Sequence, residues 1–580
     1  MRHHHLLRVW LKIQRWLRGS EMATIAIAIA VGLGAGLTTW LQGFLAHGLQ
    51  QIIYGVGINR LSALVSIRHP WKLLALPLGG LVLMQVRKLA DPKRAPVDVV
   101  EANALFGGRV PLVDSLHVCA QTMVSNGFGA SVGLEAAYTQ AGGAVASLIG
   151  RWLGLKRETL RVLVGAGAGA SIGAAFGAPL AGAFYGFEIV IGAYAPAAIA
   201  PVMAAALSAR VVVRLFGGSA YLVAPGIETH VRSLDYPVFA ALGIGMALVG
   251  IGLMRAQAWL EAAVQKLPLA RWRPVLGGVL LIPIAYVCPQ SLSSGHGALR
   301  LDLALHPDVQ FLLTVFALKA LASVVALAFG FRGGLFFASL LLGSLAGQAA
   351  AQGIDLATGL PLLDPTTAAL VGMAALAVTV VGGPMCLALL VLESTHDFPL
   401  TGVVVMAVLC ASAFARANFG YSFSTWRMHL RGSAIRSARD QGWMREIPAR
   451  RLMRRAPVVV SAGATVAAFR AAVPLGSTSR VLLAGPGGHY EGTVLTAAAY
   501  DPRLAGESAV ADLAQVRGTS VAAEATLADI LDRFDAVQVE DLAVVDGEGR
   551  ILGVLTERYV RRRQAEELEK QQARLFGEGV

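Results

Sequence analysis

The stretch "NGFGASVGLEAAYTQAGG", residues 126–143, places a single acid, Glu135, among small and apolar residues. The segments around it, from about Leu112 to Leu155, have the composition of membrane-embedded chain. A charged side chain at the centre of a bilayer costs about 2.5 to 3.5 kcal/mol on insertion scales, and such residues typically mark an ion or substrate path. The stretch therefore predicts a membrane protein with a functional carboxylate at membrane depth.

The composition of the whole chain indicates the same class of protein. Of its 580 residues 55% are hydrophobic and 15% are charged, whereas soluble domains carry roughly 25% charged residues. Glu188 is the only charged residue between Arg161 and Arg210, a span long enough for two crossings of about 20 residues each. Arginines recur from Arg427 onward, so we expect the membrane part to end near Gly432.

The net charge of +13 is concentrated in basic clusters on both sides of the apolar region. Basic flanks favour the cytoplasm, so the pattern predicts two cytoplasmic termini and an even number of crossings. We expect the membrane to be the plasma membrane, the inner membrane of a bacterium. This distribution argues against nucleic acid as a partner. The first apolar run, from Met22 to about Leu45, is too long for a cleavable signal peptide and is expected to be the first span.

The sequence gives no sign of an enzyme, a metal site or a cofactor. No nucleophile and base stand at catalytic spacing, and we expect the histidines at positions 3–5 to be a solvated tail. The cysteines lie in apolar stretches without paired spacing, so we expect small core residues rather than a disulfide. They are Cys119, Cys288, Cys386 and Cys410.

Several apolar segments are too short to cross a bilayer, because glycine and proline interrupt them at Gly177, Pro179 and residues 382–384. Broken helices at membrane depth are tolerated only where protein or a water-filled cavity covers the exposed backbone. The interruptions therefore favour a transport path.

Matching segments about 200 residues apart support this prediction. "GASVGLEA" from Gly129 matches "GFRGGLFFA" from Gly330. "GAPLAGAFYGFE" and "GGPMCLALLVLE" also match, and each ends on an acid nine residues after its proline, Glu188 and Glu393. In transporters such repeats are often inverted, and half-helix N-termini meet at the midplane, where their positive dipole ends hold an anion. Glu135 then lies where an anion binds.

The last part of the chain has a different character. Residues 525–560 predict an amphipathic helix, a strand, a glycine turn and a second strand, and a weaker copy runs from Gly463 to Tyr500. Two α/β modules in tandem predict a soluble cytoplasmic domain, and a polar helix follows them.

The membrane part resembles the CLC chloride channel and transporter family, and the tail resembles a pair of CBS domains. The likeness rests on five short motifs in the family's order: "GLEA" at Gly133, "GAPLAGAFYGFE", "GGLFFA" at Gly333, "GGPMCLALLVLESTHDFPL" and "SFSTWRMHLRG". It implies an all-α polytopic membrane fold with an inverted repeat and broken helices, and a C-terminal cytoplasmic α/β CBS pair. The expected segments are a cytoplasmic N-terminal segment (1–20), the transmembrane anion-transport domain (21–432), a basic linker (433–456), two CBS-like modules (457–505 and 506–562) and a polar helix (563–580).

The resemblance assigns roles to individual residues. Glu135 takes the place of the gating glutamate, whose carboxylate competes with the permeant anion; an acid buried against an arginine is the alternative. The ring of Phe336 would line the pore, or else pack in the core. The residues expected around the anion at the two helix N-termini are Gly133, Leu134, Gly334, Leu335 and Phe336.

The chain also departs from the family's motifs. Aligning "PKRAP" with the family's GSGIP motif puts Lys93 at the chloride-binding serine, although Lys93 is equally well explained as a loop lysine at the cytoplasmic surface. Ser424 replaces the tyrosine of the S-I-Y motif. We assign both residues to the anion path, which predicts a wider and more basic inner mouth.

Two further departures concern protons and nucleotides. Ile189 stands where proton-coupled members have a second acid, so no proton relay is expected there, and Glu188 matches the structural acid before it. CBS pairs commonly hold the ribose of an adenine nucleotide with an aspartate. At the corresponding positions this chain has Ala499 and Tyr559, so an adenine nucleotide would lack its usual anchor.

Three hypotheses of function follow. We favour a homodimer in membrane lipid, each subunit with its own path for chloride or a similar small anion, either passive or weakly proton-coupled. The second hypothesis is a strict proton/chloride antiporter whose relay uses another acid or water. The third is a membrane sensor with an inactive pore, in which the CBS pair signals to a partner.

Overall fold

The computed structural model describes residues 21–57, 61–88, 96–218, 232, 235–268, 270–305, 307–359, 363–430, 447–564 and 566. The chain divides near residue 440 into two compact units. In its described part the first unit is built of helices, and the second combines short helices with strands.

The first unit follows the helical pattern of its apolar segments. Its α-helices are α1 (Glu21–Tyr54), α2 (Ala75–Lys88), α3 (Val99–Leu105), α4 (Leu112–Gly127), α5 (Glu135–Trp152), α6 (Arg157–Phe176), α7 (Pro179–Tyr185), α8 (Pro196–Leu215), α9 (Asp235–Gln265), α10 (Arg273–Val287), α11 (His296–Leu305), α12 (Val309–Ala328), α13 (Phe336–Thr358), α14 (Pro365–Val381), α15 (Pro384–Thr395), α16 (Phe398–Asn418) and α17 (Phe423–Leu430). Short 3₁₀ turns occur at Leu61–Ala63, Pro70–Leu74, Ala270–Trp272 and Pro289–Ser291. A π-helical turn, Gly186–Ile191, continues α7.

Seven stretches of the described chain are long and apolar enough to cross a bilayer. They are Glu21–Tyr54, Arg157–Phe176, Pro196–Leu215, Asp235–Gln265, Val309–Ala328, Phe336–Thr358 and Phe398–Leu430, the last of which takes in α16 and α17. Shorter apolar helices lie among them. The prediction of a polytopic helical membrane part is confirmed.

The helix breaks fall where glycine and proline predicted them. Gly177, at φ 72°, ends α6, and α7 begins at Pro179. Gly382, at φ 92°, ends α14, and α15 begins at Pro384. Positive φ favours glycine because it has no Cβ, and proline suits the first turn of a helix, where its missing N–H is not needed.

The helices α6 and α14 form the centre of the first unit. Nearly every residue of α6 from Leu163 to Phe176 is buried, and the same holds for α14 from Thr367 to Val380. A helix that is apolar all round is expected at such a position. Since α6 precedes the first break and α14 the second, the two central helices occupy matching places in the repeat.

Close helix contacts repeat in the same way. A Cβ atom on Gly142 of α5 would lie 2.2 Å from the carbonyl oxygen of Gly167 in α6. A Cβ atom on Gly343 of α13 would lie 2.3 Å from the carbonyl oxygen of Gly372 in α14. Small residues allow the backbones of membrane helices to approach closely, so both halves of the repeat build the same helix pair.

The second unit consists of two α/β modules of the same topology. Its elements are α18 (Ala449–Leu452), β1 (Val459–Ser461), α19 (Val466–Ala472), β2 (Arg480–Ala484), β3 (Tyr490–Leu495), α20 (Thr496–Ala499), β4 (Ser520–Ala522), α21 (Leu527–Val537), β5 (Asp541–Val545) and β6 (Ile551–Thr556), with 3₁₀ turns at Pro486–Gly488 and Val510–Leu513. In each sheet the first strand is parallel to the second, and the second is antiparallel to the third. The predicted tandem pair is confirmed.

Two segments pack otherwise than the expected domain limits place them. Ala449 and Leu452, from the expected basic linker, lie in the core of the second module. The backbone N–H of Ala449 donates to the carbonyl oxygen of Ala525 at 2.8 Å. Val510, expected in the second module, lies in the core of the first, and its N–H donates to Ala464 at 3.0 Å.

Candidate functional site

The two loops of the first sequence match meet in the structure. Gly133 and Gly334 form an antiparallel bridge, in which the N–H of Gly133 donates to the carbonyl of Gly334 at 3.0 Å and the reverse bond measures 3.3 Å. Leu134 and Leu335 are the N-cap residues of α5 and α13. The pairing therefore sets two helix N-termini side by side and brings together the predicted residues of both halves.

Glu135, the first residue of α5, places its carboxylate at the N-terminus of α13. Its side chain is buried, and its Oε1 accepts a hydrogen bond from the backbone N–H of Phe337 at 3.2 Å. The N–H that holds the carboxylate belongs to Phe337, the residue after Leu335 and Phe336, which were expected around the anion. A carboxylate here gains from the unpaired N–H groups and from the helix dipole.

The second carboxylate oxygen of Glu135 is less well satisfied. Its Oε2 is buried and accepts no hydrogen bond in the described part of the chain. A buried oxygen without a donor costs about 1–3 kcal/mol, more when it is charged. The carboxylate is therefore held at the start of α13 by the backbone N–H of Phe337 on one oxygen, while its other oxygen has no donor.

Glycine makes room for this carboxylate. A Cβ atom on Gly133 would lie 1.9 Å from Oε2 of Glu135, and one on Gly334 would lie 3.0 Å from it. No salt bridge to Glu135 is present among the described residues, so the alternative of an acid buried against an arginine has no support in this geometry.

A buried lysine lies in the same region, and the sequence analysis missed it. Lys319 of α12 is fully buried, and its Nζ donates to the carbonyl oxygens of Ser291 and Ser293 at 3.1 and 2.7 Å. The Ser293 hydroxyl accepts from Asn126, whose amide also donates to the carbonyl of Val132. This network fixes the loop before Glu135. A lone lysine within an apolar span was the signal available in the sequence.

A small cavity of about 70 Å³ adjoins Glu135. Among the residues that line it are Glu135, Asp98, Tyr185, Ile189, Phe336 and Ser424. Phe336 also packs against Phe176 and Tyr185, with ring centroids 4.9 and 6.3 Å away. Phe336 therefore lines the cavity and also belongs to an aromatic cluster, and its role in the pore stays a prediction.

A large cavity of about 670 Å³ lies next to the small one. Its lining includes Glu188, Arg416, Tyr421, Ser424 and Ile189, and the last two line both cavities. The two cavities therefore adjoin each other, and together we call them the route to the Glu135 carboxylate. Arg416 gives the route a cation, and Ser424 lies where its two parts adjoin.

The acids of the second sequence match cap each other's helices. Glu188 accepts hydrogen bonds from the N–H groups of Met385 and Cys386 in the first turn of α15, at 3.1 and 2.9 Å. Glu393 accepts from Leu180 and Ala181 in the first turn of α7, at 3.0 and 2.9 Å. This reciprocal capping gives both acids a structural role, as expected for Glu188.

Lys93 lies outside the described residues. Asp98, five residues further along the chain, lines the small cavity. It is the N-cap residue of α3, and its Oδ1 accepts a hydrogen bond from the N–H of Val100 at 2.9 Å. The sequence "DVVE" has an acid at the N-cap and Glu101 three residues later, a pattern that favours a helix start. It predicts the cap, but it does not predict that the cap faces a cavity.

The second unit has no aspartate at the positions expected to hold a ribose. Ala499 is fully buried in the core of the first module. Tyr559 is partly exposed, and the guanidinium of Arg562 lies over its ring, 5.8 Å from the centroid. Neither side chain offers a carboxylate to a nucleotide.

Known families match both units. The family model described as "Voltage gated chloride channel" matches residues 78–416, and the CBS domain model matches residues 510–566. The first match covers more than half of the chain.

Curated relatives are similar over the membrane part. A protein of Ralstonia nicotianae named "Putative chloride channel protein ClcB-like" is 28% identical over 413 residues, which is 68% of this chain and 93% of that protein. An Escherichia coli protein named "Voltage-gated ClC-type chloride channel ClcB" is 27% identical over 373 residues, 62% of this chain and 87% of that protein.

Solved structures share the fold. A slow cyanobacterial Cl⁻/H⁺ antiporter has a TM-score of 0.62 at 23% identity and covers 71% of this chain and 98% of its own. A eukaryotic CLC transporter has a TM-score of 0.60 at 16% identity, and the match covers 92% of this chain and 97% of that transporter's chain. At these identities the likeness establishes the fold alone, and it confirms the predicted fold class.

Proposed function

The chain belongs to the voltage-gated chloride channel family, and from this premise we propose that it carries chloride or a similar small anion across the membrane, gated by Glu135. The observation that carries the proposal is the position of the Glu135 carboxylate on the N–H of Phe337. The carboxylate is an anion that occupies the N-terminus of a helix, where backbone N–H groups and the dipole suit a permeant anion equally well.

Gating then follows from competition. While the carboxylate is bound at α13 it excludes an anion from the same N–H groups, and its unsatisfied Oε2 limits how tightly it is held. When the side chain leaves or takes up a proton, an anion can replace it. Gly133 and Gly334 leave the space that this exchange needs.

The route to the gate supports anion passage in a passive or weakly proton-coupled form. Arg416 and Ser424 line it, and Ile189, which lines both cavities, has no group that can carry a proton. A chain of titratable side chains through position 189 is therefore interrupted. We assign the end of the route with Arg416 to the cytoplasmic side, following the basic flanks.

The proposed assembly is a homodimer in the plasma membrane, with one path in each subunit and both termini in the cytoplasm. The domain limits proposed are those expected from the sequence, amended by the packing of residues 449–452 and 510. The CBS pair is proposed as a regulatory domain. An adenine nucleotide is not proposed as its ligand, because Ala499 and Tyr559 offer no carboxylate.

Flux in sealed proteoliposomes tests the proposal. With a chloride gradient, and the membrane potential clamped at zero by equal potassium and valinomycin, chloride should move faster than in protein-free liposomes. Uphill proton movement should be absent or small. Chloride movement no faster than in protein-free liposomes would reject anion transport, and sustained uphill proton movement at a fixed ratio to chloride would replace the proposal with a strict antiporter.

A further inference from the structure

The small cavity contains a second carboxylate that the mechanism above does not use. Asp98 and Glu135 both line it, and they come from the starts of different helices, α3 and α5. Asp98 therefore lies in the cavity that adjoins the large one, with which it shares the lining residues Val100, Ile189, Val381 and Ser424.

Capping alone does not require an acid at this position. Asp98 caps α3 with one oxygen, Oδ1, which accepts from Val100 at 2.9 Å. Asparagine and serine cap a helix about as well as aspartate does. A fixed negative charge on the route opposes the entry of an anion, so the charge of Asp98 has a cost that a neutral cap would avoid.

We propose that Asp98 is the inner proton-carrying group of this protein, taking the place of the acid that Ile189 lacks. The inference rests on the proposed function and adds the residue responsible for weak proton coupling. Glu135 releases its proton to water in the small cavity, the Asp98 carboxylate takes up that proton, and the protonated acid then passes it to water in the large cavity. Both carboxylates are regenerated, and no other reactant is needed.

The geometry allows this transfer. A single water needs roughly 10–15 Å³ of such volume, so a cavity of about 70 Å³ admits a short chain of waters. The helix that bears Asp98 is held in place, because the amide of Asn103 donates to the carbonyl of Val190 at 2.7 Å. The N–H of Val97 is likewise held by Oδ2 of Asp114 at 3.0 Å.

Other titratable groups in this region are less suited to the role. Both oxygens of Glu188 accept backbone hydrogen bonds from α15, and Asp114 is engaged by Val97. The titratable or charged side chains that line the two cavities besides Asp98 are Glu135, Tyr185, Glu188, Tyr194, Arg416 and Tyr421, and those on α3 and α4 are Glu101, Asp114, His117 and Cys119. Of the carboxylates among them, Glu135 is the one that shares the small cavity with Asp98.

The test measures the ratio of uphill proton flux to chloride flux in proteoliposomes for the wild type and for three variants. Asp98→Asn keeps a capping side chain but cannot carry a proton, so we expect the ratio to fall by about tenfold or more, to the value found for Glu135→Gln. Chloride flux should persist or rise in Asp98→Asn, because a negative charge leaves the route. Glu101→Gln is the matched control, since it removes a carboxylate from the first turn of the same helix but lines neither cavity.

Several results would overturn the inference. An unchanged ratio in Asp98→Asn would show that protons do not pass through Asp98, even if chloride flux rises. A wild-type ratio no greater than that of Glu135→Gln would show that there is no coupling to explain, while intact chloride flux would leave the proposed function standing. If chloride moves no faster with the wild-type protein than in protein-free liposomes, the proposed function itself is rejected. Asp98→Ser, which also caps a helix, replaces the asparagine variant should that variant fail to fold.

Discussion

In the proposed gate, at the scale of residues, one hydrogen bond to a backbone N–H holds the carboxylate of Glu135 in place. The carboxylate of Glu135 is held by the N–H of Phe337, while its other oxygen is buried without a donor. A neutral side chain of the same shape would keep the packing but lose the attraction to the helix N-terminus. The proposed gate therefore predicts that the charge of Glu135, rather than its size, controls whether an anion can bind.

Glu135→Gln tests this directly. The amide imitates the protonated acid and does not change with pH, so anion flux in the variant should be higher at neutral pH and should depend much less on pH than wild-type flux. Flux measured in proteoliposomes across a series of external pH values gives the comparison. Asp302→Asn is the control, because Asp302 is another buried acid of the first unit that lines neither cavity. Identical pH profiles for wild type and Glu135→Gln would remove Glu135 from the gate.

Sequence patterns identified the site residues that lie in glycine-rich motifs and missed two that do not. Glu135 and the glycines before it stand out because an acid among small residues is rare in a membrane segment. Lys319 carried the same kind of signal in a plainer context. Asp98 is different, since its sequence predicts only a helix cap. Its place beside a cavity depends on how α3 packs against the turn Gly186–Ile191, which is a tertiary contact.

Among the elements, the helix breaks are the best predicted feature. Gly177 and Gly382 end helices at positive φ, and the prolines that follow begin the next ones. These signals are local, so sequence suffices for them. The π-helical turn after α7 and the exchange of caps between α7 and α15 depend on partners about 200 residues away, and no local pattern predicts them.

The exchanged caps should contribute to the stability of the membrane part. In Glu393→Gln the amide oxygen can accept one backbone N–H of α7, but the NH₂ group, which is a donor, then faces the other N–H. We expect a loss of about 1.5–3 kcal/mol, the usual contribution of a hydrogen bond to a charged group. Thermal unfolding of the purified protein in detergent measures the loss.

A pair of variants separates stability from transport. Glu393 lines neither cavity, whereas Glu188 lines the large one. Glu393→Gln should therefore lower stability and leave the flux per folded protein unchanged, and Glu188→Gln should alter both. If Glu393→Gln unfolds at the same temperature as the wild type, the exchanged caps do not contribute to the stability of the membrane part.

At the scale of the whole molecule, the chain combines a membrane unit and an α/β unit that have separate cores. The hydrophobic core of the first unit and the two cores of the second share no residues. Composition predicted this division because the apolar segments end where arginines begin. It did not predict the inner limits of the second unit, since the segment 449–452 is basic in sequence yet buries Ala449 and Leu452 in the second module.

Separate cores predict that the membrane unit folds without the second one. A chain ended near Arg445 keeps all the described helices of the first unit and removes every described residue of the second. We expect it to be extracted from the membrane as the same oligomer as the full chain and to carry chloride, but with altered regulation of the flux. Size-exclusion chromatography in detergent and flux assays measure both properties.

A second truncation, after residue 505, makes the test specific to the packing. It keeps the first module but removes Val510 from its core, and it leaves Ala449 and Leu452 without the second module that buries them. Exposing buried aliphatic side chains costs about 1.5–3 kcal/mol each for the larger ones, so this longer chain should aggregate although it retains more of the second unit. Should the shorter chain fail as well, the second unit is required for folding of the membrane part. Should the longer chain behave as well as the full one, the module boundary lies at residue 505 after all, and the contacts of Val510 and Leu452 contribute little to the stability of either module.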